Sequence, residues 1–182
     1  PKGLTFNNDG TKMFVVGGSS DSVHQYSLST AFDLSTASYD NVSFDVSSED
    51  GNPTGLTFNS DGTKMFVVGG NSDSVHQYSL STAFDLSTAS YDNVSFSVSS
   101  EDSFPTGLTF NSDGTKMFVV GGLSSDSVHQ YSLSTAFDLS TASYDNVSFD
   151  VSSEDSSPSG LTFNSDGTKM FIVGSSSDSV YQ

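Results

Sequence analysis

The sequence predicts an all-β protein built from a four-stranded antiparallel unit that recurs about every 52 residues. Residues 1–52, 53–104 and 105–157 are near-copies of one another, and a fourth, incomplete copy covers residues 158–182. A period of this length is typical of proteins in which each repeat folds as one structural unit beside its neighbours. The chain is therefore one segment of adjacent repeats, and a single repeat defines the folding unit.

Within the second copy, four runs of residues predict four strands. Residues 55–58 and 64–68 flank an Asp-Gly pair, a strong hairpin signal because glycine readily adopts the positive φ that the turn requires. Residues 65–68 are apolar at every position, which predicts a strand buried on both faces. Residues 75–80 form a third, more mixed strand. In residues 93–98, Val94, Phe96 and Val98 alternate with polar residues, as in a half-exposed outer strand.

Four antiparallel strands, buried inside and polar outside, describe one blade of a β-propeller. The run Pro-x-Gly-Leu-Thr-Phe-Asn-Ser-Asp-Gly-Thr-Lys-Met-Phe-Val-Val-Gly and the following Ser-Asp-Ser-Val-His-Gln-Tyr-Ser-Leu resemble blades of the WD40/YVTN-type superfamily, although the Trp-Asp dipeptide is absent. The main alternative is an open β-solenoid. Three blades and most of a fourth would leave sheet edges exposed, so we expect further blades or self-association to close the ring. Two such segments would give eight blades.

Composition excludes several classes of partner. Five Lys and no Arg face 22 acidic residues, which gives a net charge of −17. Neither nucleic acid nor an anionic membrane surface is an expected partner, because both require clustered basic residues. No apolar run approaches 18 residues, so insertion into a membrane is not expected either. Cysteine is absent, which excludes disulfides and favours a bacterial or phage protein, located on a cell surface, in the medium or on a virion.

The repeated His, Ser and Asp residues contain no singular catalytic set. His24, His76 and His129 occupy equivalent positions, and Tyr181 replaces them in the fourth copy. No second ligand stands at zinc-site spacing, so we interpret these residues as side chains packed between blades. A Ser-His-Asp triad needs one oriented set, and the Gly-x-Ser-x-Gly motif is absent. The repeats are therefore not expected to catalyse a reaction.

Most differences between copies fall in loops that emerge on one face of a four-stranded meander. Binding residues often lie on loops held by a rigid scaffold, although drift in unconstrained loops gives the same pattern. The Glu-Asp pairs of these loops are interpreted as solvated acidic loops, with calcium ligation by the paired carboxylates as the alternative, and no other cofactor is predicted. Phe104 and Leu123 are the exposed apolar candidates. The predicted binding residues are Ser19, Asp21, Glu49, Asp50, Asn71, Asp73, Glu101, Asp102, Phe104, Leu123, Asp126, Glu154 and Asp155.

These observations predict a non-enzymatic binding or structural module that contacts protein or glycan through this loop face. Near-identical tandem copies indicate recent duplication, which suits adhesins and structural repeats. The alternative is a lactonase-like hydrolase, because the resemblance to YVTN-like propellers includes lactonases. The repeats hold no unique catalytic constellation, so the active site of such an enzyme would lie outside residues 1–182.

Overall fold

The computed structural model describes residues 1–122 and 125–182 and contains four antiparallel β-sheets in a four-blade propeller arrangement. Blade 1 contains β1 (Gly3–Phe6), β2 (Lys12–Gly17), β3 (Ser22–Leu28) and β4 (Ala37–Asp45). Blade 2 contains β5 (Pro53–Phe58), β6 (Lys64–Gly69), β7 (Ser74–Leu80) and β8 (Ala89–Ser97). Blade 3 contains β9 (Pro105–Phe110), β10 (Lys116–Gly121), β11 (Ser127–Leu133) and β12 (Ala142–Asp150). Blade 4 contains β13 (Pro158–Phe163), β14 (Met170–Gly174) and β15 (Val180–Tyr181).

The predicted Asp-Gly hairpins are confirmed. In blade 2, Gly62 adopts a φ of 74°, and a Cβ at that position would collide with the ring of Phe84. The carboxylate of Asp61 accepts a hydrogen bond from the backbone N–H of Thr63 at 2.9 Å. The turn thus requires both the left-handed backbone of glycine and the short acceptor side chain before it.

The outer strand of each complete blade is longer than predicted. In blade 2 it begins at Ala89 rather than Asn93 and ends at Ser97, one residue before the predicted end. A β-bulge between Gln77 and Tyr78 shifts the register, and Asn93 takes a positive φ of 57° beside it. The bulge shifts the side-chain alternation by one residue, so residues 89–92 continue the hydrogen-bond ladder out of phase with the apolar pattern that begins at Val94.

The hydrophobic core lies between blades rather than within them. One cluster of buried residues joins each pair of consecutive blades. Phe14 packs on Phe58 at a ring-centroid distance of 4.6 Å, and Phe66 packs on Phe110 at the same distance. The prediction of a central strand buried on both faces is confirmed for Met65, Phe66, Val67 and Val68, all of which are fully buried.

A short segment between the third and fourth strands of each complete blade, here called the latch, carries a single-turn 3₁₀ helix. The latches span residues 30–36, 82–88 and 135–141, and their helices are Leu34–Thr36, Leu86–Thr88 and Leu139–Thr141. The latch of blade 2 contacts blade 1: the N–H of Leu86 donates to Gln25 Oε1 at 2.9 Å. Lys12 Nζ donates to the carbonyl of Phe84 at 2.8 Å. The latch of blade 3 repeats both bonds on blade 2.

The blades form an open arc. Leu4 on β1 is 62% exposed, whereas its equivalents Leu56 and Leu108 are each 6% exposed. The described residues form no hydrophobic cluster between blades 1 and 4. None of their helices has the length and apolar character needed to cross a membrane.

Candidate functional site at the axial groove

The inner strands of the four blades line a groove of about 450 Å³ along the propeller axis. Glycine recurs at the point where neighbouring inner strands approach most closely: a Cβ on Gly3 would lie 3.0 Å from the Cα of Gly55. Thr54 then bridges two strands, since its hydroxyl lies 3.1 Å from the carbonyl of Val68 and 2.9 Å from that of Pro105. The groove wall is therefore fixed by close backbone packing and by threonine hydroxyls that bond to backbone carbonyls.

One end of the groove opens on the loop face through a second cavity of about 230 Å³. Lys2, Thr54, Thr106 and Ser159 line both cavities. Phe104 lines only the outer one. We call these five residues the groove mouth.

The groove mouth contains one of the positions at which the repeats differ. Lys2 stands where the later copies have Thr54, Thr106 and Ser159. Its Nζ donates to Asn52 Oδ1 at 2.5 Å and lies 5.9 Å from the ring centroid of Phe104. Among the described residues that line the two cavities, Lys2 carries the only charge. Repeat variation thus produces one asymmetric position, with a cation beside an aromatic ring.

Sequence reasoning did not predict that Asp, Ser and His from different loops meet on this face. The hydroxyl of Ser72 donates to Asp50 Oδ2 at 2.6 Å and lies 2.9 Å from His76 Nε2. Blade 3 repeats the arrangement with Asp102, Ser125 and His129 at 2.6 and 3.0 Å. In blade 4, Ser177 donates to Asp155 at 2.6 Å, and Tyr181 replaces the histidine.

The order of the hydrogen bonds distinguishes this network from a catalytic triad. A nucleophilic serine donates its proton to histidine, and histidine donates to aspartate. Here Ser72 has one proton and gives it to Asp50, so His76 Nε2 must be the donor to Ser72. His76 Nδ1 is then an acceptor, and it is buried without a partner. Burial lowers the pKa of His76 despite the opposing carboxylate of Asp50. The serine is not activated for attack, and the aspartate–serine bond ties each of blades 2, 3 and 4 to the loop that precedes it.

The predicted acidic ligands are engaged in this packing. Asp50, Asp102 and Asp155 are buried, with exposed fractions of 3%, 1% and 2%. Hydrogen bonds from Ser177, first from its hydroxyl, lower the pKa of Asp155 to about 2. These three carboxylates therefore do not belong to a solvated loop, and their hydrogen bonds leave them unavailable as free calcium ligands. The described residues contain no group of three or more side chains that could hold a metal ion.

The adjacent glutamates lie nearer to solvent. The carboxylates of Glu49 and Glu101 accept long hydrogen bonds from the hydroxyls of Tyr78 and Tyr131, at 3.4 and 3.3 Å. Burial, followed by the nearby glutamate charge, raises the pKa of both tyrosines. Glu154 is exposed. These contacts place the glutamates beside the blade junctions rather than at the groove mouth.

The remaining predicted binding residues are spread over the loop face. Ser19 and Asn71 are exposed. The backbone carbonyls of Asp21, Asp73 and Asp126 accept hydrogen bonds from the residue that follows the outer strand. Phe104 is half-buried against Gly70 rather than exposed, and it is the member of the set that reaches the groove mouth. Leu123 lies outside the described residues.

No family model and no curated protein matches this sequence. Solved structures do match. The fold is that of a β-propeller. The structure resembles a candidate 6-phosphogluconolactonase from Bacteroides uniformis (TM-score 0.67, 13% identity, 95% of this chain and 47% of that one). It also resembles the periplasmic gluconolactonase PpgL of Pseudomonas aeruginosa (TM-score 0.65, 16% identity, 98% of this chain and 48% of that one). A third match is the β-propeller domain of Cps50 (Swd1), a WD40-type protein from Myceliophteria thermophila (TM-score 0.58, 8% identity, 98% of this chain and 51% of that one). The chain thus spans about half the length of each structure.

These comparisons correct the functional prediction made from the sequence. Several of the similar structures carry lactonase names, so the lactonase-like alternative is favoured over a non-enzymatic binding or structural module. At these identities the likeness itself shows the fold alone, because one propeller scaffold hosts many functions.

Proposed function

We propose that the chain is part of a lactonase-like hydrolase propeller that binds an uncharged sugar lactone at the groove mouth. The residues that perform hydrolysis would lie outside residues 1–182. The observation that carries this proposal is the one charged side chain among the described residues that line the groove, Lys2, which lies beside Phe104 at the mouth of the axial groove. The similarity to propellers named as lactonases supports the reaction class.

The groove mouth has the chemistry that a sugar lactone requires. The ammonium group of Lys2 can donate hydrogen bonds to the lactone carbonyl and would stabilise negative charge developing on that oxygen. The ring of Phe104 offers an apolar surface for the C–H face of the sugar. The hydroxyl oxygens of Thr106 and Ser159 line the same cavity and can accept hydrogen bonds from sugar hydroxyls.

The charge distribution favours a neutral lactone over a phosphorylated one. The chain carries a net charge of −17, and its Glu-Asp pairs lie on the face that bears the groove mouth. One lysine cannot offset that field for a dianionic phosphate, whereas an uncharged ring is not repelled. The same field would favour departure of the carboxylate product of hydrolysis.

Among the described residues, no free general base lines the groove mouth. The nearby carboxylates of Asp50, Asp102 and Asp155 are buried and accept hydrogen bonds from serine hydroxyls and backbone N–H groups. A base must reach the attacking water directly or through one further water. We therefore assign binding to this chain and hydrolysis to residues outside it.

Isothermal titration calorimetry with glucono-δ-lactam, a stable neutral analogue, tests the site. We expect saturable binding that Lys2→Met weakens on the order of 10-fold, as for loss of one charged hydrogen bond. Lys116→Gln is the matched control, because it removes a lysine that pairs with Asp145 away from the groove. Absence of binding, or equal loss in both variants, would overturn the assignment of the mouth.

A pH-stat assay with glucono-δ-lactone tests where hydrolysis occurs. We expect the 182-residue chain to leave the spontaneous rate of lactone opening unchanged. Turnover above that rate would place the base within the chain, contradicting its assignment to residues outside. A location in the periplasm or outside the cell belongs to the same proposal, and the periplasmic neighbour supports it.

A further inference from the structure

Two residues that differ from their equivalents in the other repeats meet as a pair beside the groove mouth. Lys2 stands where the other copies have threonine or serine, and Asn52 stands where the later copies have Phe104 and Ser157. Lys2 Nζ donates a hydrogen bond to Asn52 Oδ1 at 2.5 Å. Two independent differences between repeats thus supply a donor and its acceptor at one place.

The backbone of Asn52 is held from two sides. Its N–H donates to the buried carboxylate of Asp50 at 2.7 Å, and its carbonyl accepts from the N–H of Gly70 at 3.1 Å. The N–H groups of Phe104 and Ser157 bond in the same way to the aspartate two residues before them. The three loops therefore present a common backbone frame, and the side chain that each one carries to this face is what differs.

Two glycines leave room for the amide group of Asn52. A Cβ on Gly18 would lie 3.1 Å from Asn52 Oδ1, and a Cβ on Gly70 would lie 3.2 Å from its Nδ2. The same Cβ on Gly70 would lie 2.8 Å from Cε2 of Phe104. A larger residue at either glycine would press on the amide, so the close approach of these loops depends on glycine. The amide is thereby held beside the aromatic ring that borders the ammonium group of Lys2.

The chemistry of the pair fixes the orientation of the amide. An ammonium group donates hydrogen bonds but cannot accept them, so Oδ1 of Asn52 must face Lys2. One of the three ammonium hydrogens is used in this bond, and the other two remain for a ligand. A lysine that is already held in place loses less side-chain freedom when the ligand binds.

We propose that Asn52 is a positioning residue that holds the ammonium group of Lys2 beside Phe104 and directs it towards the carbonyl oxygen of the lactone. The binding role rests on the function proposed above, whereas the placement of Lys2 is measurable without ligand. Asn52 acts through Lys2 and requires no contact with the lactone. A carboxylate at position 52 would hold the lysine equally well but would offset its charge. The neutral amide fixes the side chain and leaves that charge for the ligand.

NMR spectroscopy of the ligand-free 182-residue chain tests the placement. Lys2 Nζ lies 5.9 Å from the ring centroid of Phe104, so the ring current should displace the Hε resonances of Lys2 from those of a free lysine. Asn52→Ser removes the amide acceptor and introduces the residue type found at the equivalent position 157. We expect the displacement to be lost, with the backbone amide spectrum away from the mouth unchanged. Asn52→Asp keeps an acceptor oxygen and should retain the displacement. An undiminished displacement in Asn52→Ser, or its loss in both variants, would overturn the positioning.

A double-mutant cycle, measured by calorimetry with glucono-δ-lactam, tests the binding role. Asn52→Ser should weaken binding about 5-fold, as for loss of one hydrogen bond. It should have no further effect in the Lys2→Met background, because Asn52 acts only through the lysine. Additive losses would show direct contact with the ligand or a general effect on the fold, and would overturn the binding role. Absence of binding to the unaltered chain would overturn the lactone proposal and the binding role with it, and the ligand-free NMR measurement would still decide the placement of Lys2.

Discussion

Blades 2 and 4 share nearly the same sequence but have different surroundings. In blade 2, Phe66, Val68 and Val75 are fully buried, because blade 3 covers them. In blade 4, the equivalents of the two valines are 42% and 70% exposed. A blade thus forms its strands by itself but buries its apolar side chains only against a neighbour. Stability in such an array is held largely at the junctions between units.

The largest expected effect is at the junction of blades 2 and 3. Phe66→Ala should lower the free energy of unfolding by ~3–5 kcal/mol, because it leaves a cavity beside Phe110. Phe171→Ala makes the same change in blade 4, where none of the described residues forms a further blade over that face, and should cost much less in the 182-residue chain. Urea denaturation measures both. Equal losses would show that the two blades are equally packed.

A smaller effect is expected at the buried network of blade 3. Asp102→Ala removes the acceptor for Ser125 and for the N–H of Phe104, at 2.6 and 2.7 Å. Leaving such buried donors without a partner costs about 1–3 kcal/mol. Asp155→Ala in blade 4 should cost a similar amount, since Asp155 is equally buried and accepts hydrogen bonds from Ser157, Ser176 and Ser177. Thermal unfolding followed by circular dichroism measures both losses. A much smaller loss for the Asp155 variant would show that this network, like the apolar core, depends on a neighbouring blade.

The smallest effect is a pH dependence of the inner blades. Burial lowers the pKa of His76 and of His129, so the unfolded chain binds their protons more readily than the folded one. Their contribution is complete above the ordinary histidine pKa of about 6.5 and is lost as pH falls from there towards the lower folded pKa. We expect the His76→Gln/His129→Gln variant to unfold with a shallower dependence on pH in this window. Urea midpoints across it measure the slope, and an unchanged slope would exclude these residues as its cause.

Sequence reasoning reached the elements whose cause is local. The Asp-Gly turn at Gly62 and the apolar strand around Phe66 depend on residues adjacent in the chain, and both are confirmed. The predicted start of β8 was wrong, because the bulge at Asn93 puts Ala89 and Tyr91 out of phase with the alternation of Val94, Phe96 and Val98, and pairing with β7 extends the strand. The contact between each latch and the preceding blade was not predicted. The only sequence feature that pointed to it is the near-identity of the latch residues across copies.

The functional prediction was less successful for a related reason. Asp50 was interpreted as part of an exposed acidic loop, whereas the fold buries it against Ser72 of the next blade. The sequence alone assigned no role to Lys2. Its meeting with Phe104 depends on how inner strands and loops from different repeats converge, about 100 residues apart in the chain.

By itself, the sequence determined the repeat, the four-stranded blade and its turns, because hydrogen-bonded hairpins form between segments that are neighbours along the chain. Only the tertiary structure decided which of the identical apolar residues are buried, and that Asp, Ser and His meet with the serine as donor to the aspartate. It also decided that Lys2, the lysine with no equivalent in the other repeats, lies at the groove mouth. These outcomes depend on contacts between repeats, and a repeated sequence is the same at every junction whether or not a neighbouring blade is there to cover it.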